Sequence, residues 1–299
     1  MVSRIVLVWI AVAAVALVSG CGSDEPRSGG RSVVAAFYPL AYAAEEVGGE
    51  SVSVRNLTPP GAEPHDLELT AGDVADVRDA DLVLYLGNGF QPALADAVEG
   101  RSGPSLDLFT DQTLMEGAAH HHGAEPEPED EEPELDPHIW LDPMRYATMA
   151  RAIARELGTP AAADDLVERL HVLDAELTEG LATCERREIV TSHAAFGYLA
   201  ERYDLEQIPL TGLTPEAEPS AKQLEELVHE VEEEGATTVF FETLVAPELA
   251  ETVAREASAR TAVLDPLEGL TDERRADGAD YFTVMHENLV ALRQALGCK

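Results

Sequence analysis

Three histidines and one aspartate stand where they could hold a metal ion. His65 lies in PPGAEPHDLE, His138 in DPHIWLDP, His193 in TSHAAFGYL and Asp265 in VLDPLEG. Three imidazoles and a carboxylate form a nitrogen-rich set of borderline donors, suited to tetrahedral zinc with Zn–N bonds of about 2.0–2.1 Å. The set contains no thiolate, which suits an oxidising, exported setting. Taken singly, each residue has an ordinary structural use, because a histidine at a strand end can cap backbone groups and an aspartate before proline starts a turn. Their joint placement gives them weight: two come from each half of the chain, and three follow candidate strands.

The elements that must position these residues alternate along the chain. Apolar runs at 32–37, 52–56, 82–86 and 105–108, and again at 188–191, 207–210, 238–241 and 262–264, predict eight strands, four in each half. Helix starts lie between them. Thr70-Ala-Gly-Asp73 has capping-box spacing, and Ser220-Ala-Lys-Gln223 leads into Leu224, Leu227, Val228 and Val231 at helical intervals. The alternation predicts an α/β protein of two lobes, each with a four-stranded parallel sheet. In such sheets ligands bind beyond the carboxyl ends of the strands. Between the halves, Thr159-Pro160 opens a helix. Leu166, Leu170, Leu173, Leu177 and Leu181 then make one apolar stripe, on a rod of about 35 Å that could cross the backs of both lobes. The expected division is a first lobe over 32–158, a linker helix over 159–187 and a second lobe over 188–299.

Two segments fall outside this pattern. Residues 117–134 change abruptly to His, Glu, Asp and Pro without apolar periodicity, which predicts a loop. In it His120, His121 and His122 could gather metal only weakly, because ordering a loose chain offsets much of the binding. Residues 1–20, MVSRIVLVWIAVAAVALVSG, are apolar over too short a stretch for a comfortable membrane span and read as a cleaved export signal. Val18-Ser19-Gly20-Cys21 resembles the lipobox of bacterial lipoproteins, which would make Cys21 the lipidated first residue and 21–31 a flexible tether. Of the other cysteines, Cys184 and Cys298 have no CxxC partner, so in an exported chain they read as a disulfide or as two buried thiols. The net charge of −37 excludes nucleic acid as a partner and raises the local concentration of cations.

The stretches PHDLELT, DPHIWLDP, TSHAAFGYLAERY, LTPEAEPS, FFETLVAP and VLDPLEGL, in this order, closely resemble the zinc-type solute-binding lipoproteins of bacterial metal ABC importers. The resemblance spans about residues 32–298. It implies two similar lobes joined by a long helix, with one Zn2+ captured in the cleft and delivered to a membrane permease. It places the metal ligands on His65, His138, His193 and Asp265, and it implies a disulfide between Cys184 and Cys298. The signal and the lipobox-like stretch predict an extracytoplasmic protein anchored by lipid to the plasma membrane, expected to act as a monomer. Manganese-type relatives resemble this pattern but carry a carboxylate at the third position, where this chain has His193. Glu242, in FFETLVAP, could accept a hydrogen bond from a ligand imidazole, or simply satisfy loop amides.

Other functions compete. A zinc hydrolase needs an open coordination position and a general base. The segment Met285-His-Glu-Asn-Leu289 lacks the second histidine, since position 290 is valine, and neither GxSxG nor GxxxxGK occurs. Four protein ligands fit capture better than catalysis, so the chain is not expected to be an enzyme. Manganese or another divalent metal is the nearest alternative cargo, and an adhesin-like surface lipoprotein is the alternative of a different class.

Overall fold

The computed structural model describes residues 30–117, 134–215 and 219–299. Eight strands form two sheets, each made by one half of the chain. β1 (Arg31–Ala35), β2 (Val52–Asn56), β3 (Leu82–Tyr85) and β4 (Ser105–Asp107) are ordered β2-β1-β3-β4. β5 (Glu188–Thr191), β6 (Glu206–Pro209), β7 (Thr238–Phe241) and β8 (Arg260–Val263) are ordered β6-β5-β7-β8. All six pairings are parallel. The two sheets therefore share one topology, as the alternating pattern predicts. The strand order reverses between β1 and β3 in one sheet and between β5 and β7 in the other, and at such points the loops beyond the strand ends diverge to leave a crevice.

Between the strands run α1 (Tyr38–Gly48), α2 (Ala71–Asp79), α3 (Pro92–Glu99), α4 (Pro143–Leu157), α5 (Ala163–Leu181), α6 (Gly197–Tyr203), α7 (Ala221–Glu233), α8 (Glu248–Glu256), α9 (Asp272–Ala276) and α10 (Tyr281–Leu296). The two capping boxes form as expected: Thr70 and Asp73 exchange side-chain to backbone bonds at the start of α2, and Ser220 and Gln223 do so at α7. Strand boundaries differ from the expected runs by no more than two residues. β8 starts at Arg260, two residues before the apolar run, because its exposed edge carries Arg260 and Thr261. β6 is the opposite edge and tolerates Pro209, which has no N–H to give to a neighbour.

The linker differs from expectation at its start. Pro160–Ala162 is a single 3-10 turn, Thr159 makes no side-chain cap, and α5 begins at Ala163. Its 19 residues give a rod of about 28 Å, shorter than the stripe suggests. All five leucines of the stripe are buried. They face helices of both halves, with α5 lying against α1 and α4 on one side and α6 and α10 on the other. One apolar cluster accordingly runs through the whole molecule, from Phe37, Trp140 and Tyr146 across the α5 leucines to Phe196, Tyr281 and Leu292. A smaller cluster of Val190, Ile208, Leu227 and Val239 fills the second lobe beneath α7 and α8. Cys184, just past α5, is bonded to Cys298, just past α10. The bond fastens the linker to the last helix at the end of the molecule, where Glu185 and Arg186 N–H groups also donate to the Leu296 carbonyl. Among the described residues no helix is long and apolar enough to cross a membrane.

Candidate metal centre

Four loops meet between the sheets, each carrying one donor. His65 sits in a 3-10 turn, Pro64–Asp66, whose Pro64 carbonyl accepts from the buried Gln91 amide at 3.0 Å. His138 precedes the 3-10 turn Ile139–Leu141, after which Asp142 caps α4 by accepting from the Met144 and Arg145 amides. His193 follows β5 by two residues, and its carbonyl accepts from the Thr191 hydroxyl at 2.8 Å and the Gln207 amide at 2.9 Å. The fourth donor is Glu268, in the loop after β8.

Asp265, the expected fourth ligand, lies outside this group. Asp265 is buried, but its oxygens are already used: one accepts from the Leu267 N–H at 2.8 Å, the other from the Thr243 hydroxyl at 2.8 Å. It does the ordinary work of an aspartate before proline, starting a turn. That turn carries Glu268, three residues on in the same DPLEGL stretch, to the place expected of Asp265. The spacing from the strand end was legible in the sequence, but which of two nearby carboxylates turns inward depends on the loop's path.

The donor atoms of His65, His138, His193 and Glu268 all lie within 4.8 Å of one another. Glu268 Oε1 is 3.3 Å from His65 Nε2, 3.1 Å from His138 Nε2 and 3.4 Å from His193 Nε2. The Nε2 atoms of His138 and His193 are 3.3 Å apart. A tetrahedron with bonds of about 2.0–2.1 Å has six edges of about 3.3–3.4 Å; four of the spacings here are 3.1–3.4 Å, and the two between His65 and the other histidines lie within 4.8 Å.

The imidazoles are aimed from behind. Asp136 Oδ1 lies 2.7 Å from His138 Nδ1, and Glu242 Oε1 lies 2.5 Å from His193 Nδ1. Each carboxylate accepts from Nδ1–H and so turns the Nε2 lone pair toward the centre. Glu242 also accepts from the Ser192 hydroxyl, and Asp136 accepts from the His138 N–H at 2.9 Å. Asp136 was missed in the sequence, although it stands in the quoted DPH motif. A Cβ on Gly197 would stand 2.7 Å from Asp136 Oδ2, so the residue opening α6 must be small for this carboxylate to fit. Among the described residues His65 has no carboxylate behind Nδ1. Its ring lies edge-on to Phe90 at 4.7 Å, beside a cavity of about 210 Å³ lined also by Leu135, Pro137 and Leu213.

The electrostatics follow from burial and mutual charge. Burial alone would raise the Glu268 carboxyl, but the charge of His193 and hydrogen bonds from all three histidines hold it well below the usual range. Burial would lower His138 and His193. The neighbouring carboxylates outweigh it, Asp136 and Glu268 raising His138, and Glu242 and Glu268 raising His193 well above an ordinary imidazole. His65 is lowered, burial there outweighing Glu268. Glu63, whose carboxylate accepts the His65 N–H, is pushed up to about 9 by burial and by the Glu268 charge. Burial likewise pushes Asp265 up to about 6, against the pull of the Leu267 N–H and Thr243 hydroxyl. The centre is thus a dense set of carboxylates and imidazoles, where a divalent cation can replace protons as the positive charge.

Residues 33–295 match the family model described as zinc-uptake complex component A, periplasmic. The chain belongs to this family. It is 34% identical over 310 residues to the zinc-binding lipoprotein AdcA of Streptococcus pneumoniae, an alignment covering 97% of this chain and 60% of that protein. The chain thus spans well under two thirds of the length of that relative. It is 30% identical over 308 residues to the high-affinity zinc uptake system protein ZnuA of Bacillus subtilis, covering 96% of each. The Zn(II)-bound ZnuA-like domain of Streptococcus pneumoniae AdcA superposes with a TM-score of 0.73 at 33% identity, over 90% of this chain and 99% of that one. The laminin-binding protein Lmb of Streptococcus agalactiae, described as having adhesin and metal-transporting activity, superposes with a TM-score of 0.78 at 30% identity, over 89% of this chain and 100% of that one. The sequence readings at His120, His121, His122 and Cys21 lie outside the described residues.

Proposed function

We propose that this protein is an extracytoplasmic zinc-binding component of an ABC importer. It captures one Zn2+ between its lobes through His65, His138, His193 and Glu268, and delivers it to a membrane permease. The observation that carries this reading is the convergence of three buried donors and the half-buried His65, with four of their mutual spacings at 3.1–3.4 Å, close to the edge of a tetrahedron around zinc. Three imidazoles and one carboxylate also favour zinc over manganese, which prefers more oxygen donors and higher coordination. The names of the related AdcA and ZnuA proteins agree with that cargo. Four protein donors close the ion off, so the role is capture and transfer rather than catalysis.

In this reading the lobes are 32–158 and 188–299, with 159–187 as the connector. The chain acts as a monomer held at the membrane by lipid on Cys21, and His120, His121 and His122 add weak, auxiliary metal binding. Metal analysis of the purified protein with competitive zinc and manganese titration tests the core of it. One tight zinc site is expected, abolished by His193→Ala. A protein that prefers manganese, or whose His193→Ala variant keeps its zinc affinity, overturns the reading. An adhesin role has one relative's description in its favour, that of Lmb. Zinc-limited growth of cells lacking the protein, against their adherence to laminin, separates the two.

A further inference from the structure

The geometry points to Asp265 as a positioning residue: by bracing a left-handed turn at Leu267, it aims the Glu268 carboxylate at the metal centre. This rests on the zinc-binding reading of that centre.

Leu267 has φ of +59°, a backbone conformation that residues with a side chain rarely adopt, and it is fully buried. Something must hold it there. The Asp265 carboxylate does so directly, accepting the Leu267 N–H at 2.8 Å. Asp265 is itself fixed on three sides. The Thr243 hydroxyl donates to its other oxygen at 2.8 Å, and the buried Asn288 amide accepts the Asp265 N–H at 2.9 Å and donates to the Asp265 carbonyl at 2.7 Å. The first lobe adds a clamp, as Trp140, two residues past His138, donates its indole N–H to the Pro266 carbonyl at 2.7 Å. Every peptide between Asp265 and Leu267 is thereby pinned, and Glu268 is the next side chain. Its Oε1 is shared by three imidazoles from both lobes, so a small rotation of this turn would lose all three contacts together.

The test uses the full-length protein with zinc, and with cobalt(II) as a spectroscopic probe whose visible absorption is intense when four-coordinate and weak when five- or six-coordinate. Asp265→Ala should weaken zinc binding by about 10- to 100-fold and dim the cobalt spectrum as two or more waters enter in place of Glu268 and raise the coordination number. Asp265→Asn keeps an oxygen for the Leu267 N–H and turns its NH2 to the Thr243 hydroxyl oxygen, so affinity and spectrum should stay near those of the native protein. In a Glu268→Gln background, Asp265→Ala should cause no further loss of zinc affinity. Asp265→Ala that lowers only the melting temperature overturns the inference. So does Asp265→Asn that behaves like the alanine variant, or an undiminished loss in the Glu268→Gln background, since either would make Asp265 itself a ligand. Failure of the native protein to bind zinc or cobalt(II) would instead overturn the zinc-binding reading.

Discussion

The two lobes supply the centre in partly matching ways. Each provides one fully buried histidine with a carboxylate at its back, His138 with Asp136 in the first lobe and His193 with Glu242 in the second. The remaining donors are unalike. His65 stands on a short 3-10 turn beside a cavity, with Phe90 as its wall, whereas Glu268 is wholly buried and reached through a turn pinned from both lobes. A ligand held by a carboxylate is fixed by chemistry close to the ring. A ligand held by a turn depends on the backbone around it. The likeness of His138 and His193 is therefore local, and the contrast between His65 and Glu268 is that one borders a cavity while the other is wholly enclosed.

The largest test of this comparison removes donors. Glu268→Ala, His138→Ala and His193→Ala should each weaken zinc binding by more than about 100-fold, above the usual effect of losing a supporting partner. His65→Ala, beside the cavity from which water can replace the ring, should cost the least of the four. Competitive titration with a zinc chelator ranks them, and a His65 variant as damaged as Glu268→Ala would break the distinction between the ligand beside a cavity and the enclosed one.

Next come the supporting carboxylates. Asp136→Asn and Glu242→Gln keep shape but lose charge, and each should weaken binding by about 10- to 100-fold and to a similar degree. A large difference between them in the same titration would show that the two histidines are not equivalently supported.

Proton linkage gives a smaller, graded effect. The folded values of His138 and His193 are raised, so their contribution to the stability of the metal-free protein is fully present below the unfolded value of about 6.5 and is lost as pH rises through the raised values. Zinc displaces those protons, so its affinity should climb with pH over the same range. Calorimetry in buffers of different protonation enthalpy should detect proton release on zinc binding at neutral pH. Binding without proton release would show that the imidazoles are already neutral.

The smallest effect is expected from Gly197→Ala. The added Cβ crowds Asp136 Oδ2, which must shift while keeping its bond to His138 through Oδ1. A loss of zinc affinity below about 10-fold is expected, against the full cost of Asp136→Asn. An equal loss would mean that Asp136 has no room to adjust.

Much of this molecule was legible along the chain because the signals are local. Alternating apolar runs and capping motifs such as Thr70-Ala-Gly-Asp73 set two like sheets. Loops after strand ends drew attention to His65 and His193, and the DPHIWLDP stretch to His138; the structure brings the three together. The leucine stripe marked the helix seen as α5, which begins at Ala163 after a 3-10 turn at Pro160–Ala162. Asp136 and Glu268 were harder. Acidic residues are abundant in a chain of charge −37, and nothing in one-dimensional spacing separates a carboxylate in the centre from one three residues away.

The sequence by itself determined the strands and the helices, because each depends on residue type and short-range periodicity, and its motifs drew attention to three imidazoles. Only the tertiary structure brings Glu268, rather than Asp265, beside them. That choice depends on a left-handed Leu267, on Asn288 from the last helix and on Trp140 from the other lobe, and these meet only when the chain has folded. A carboxylate's role is set by what faces it, and those neighbours come from distant parts of the chain.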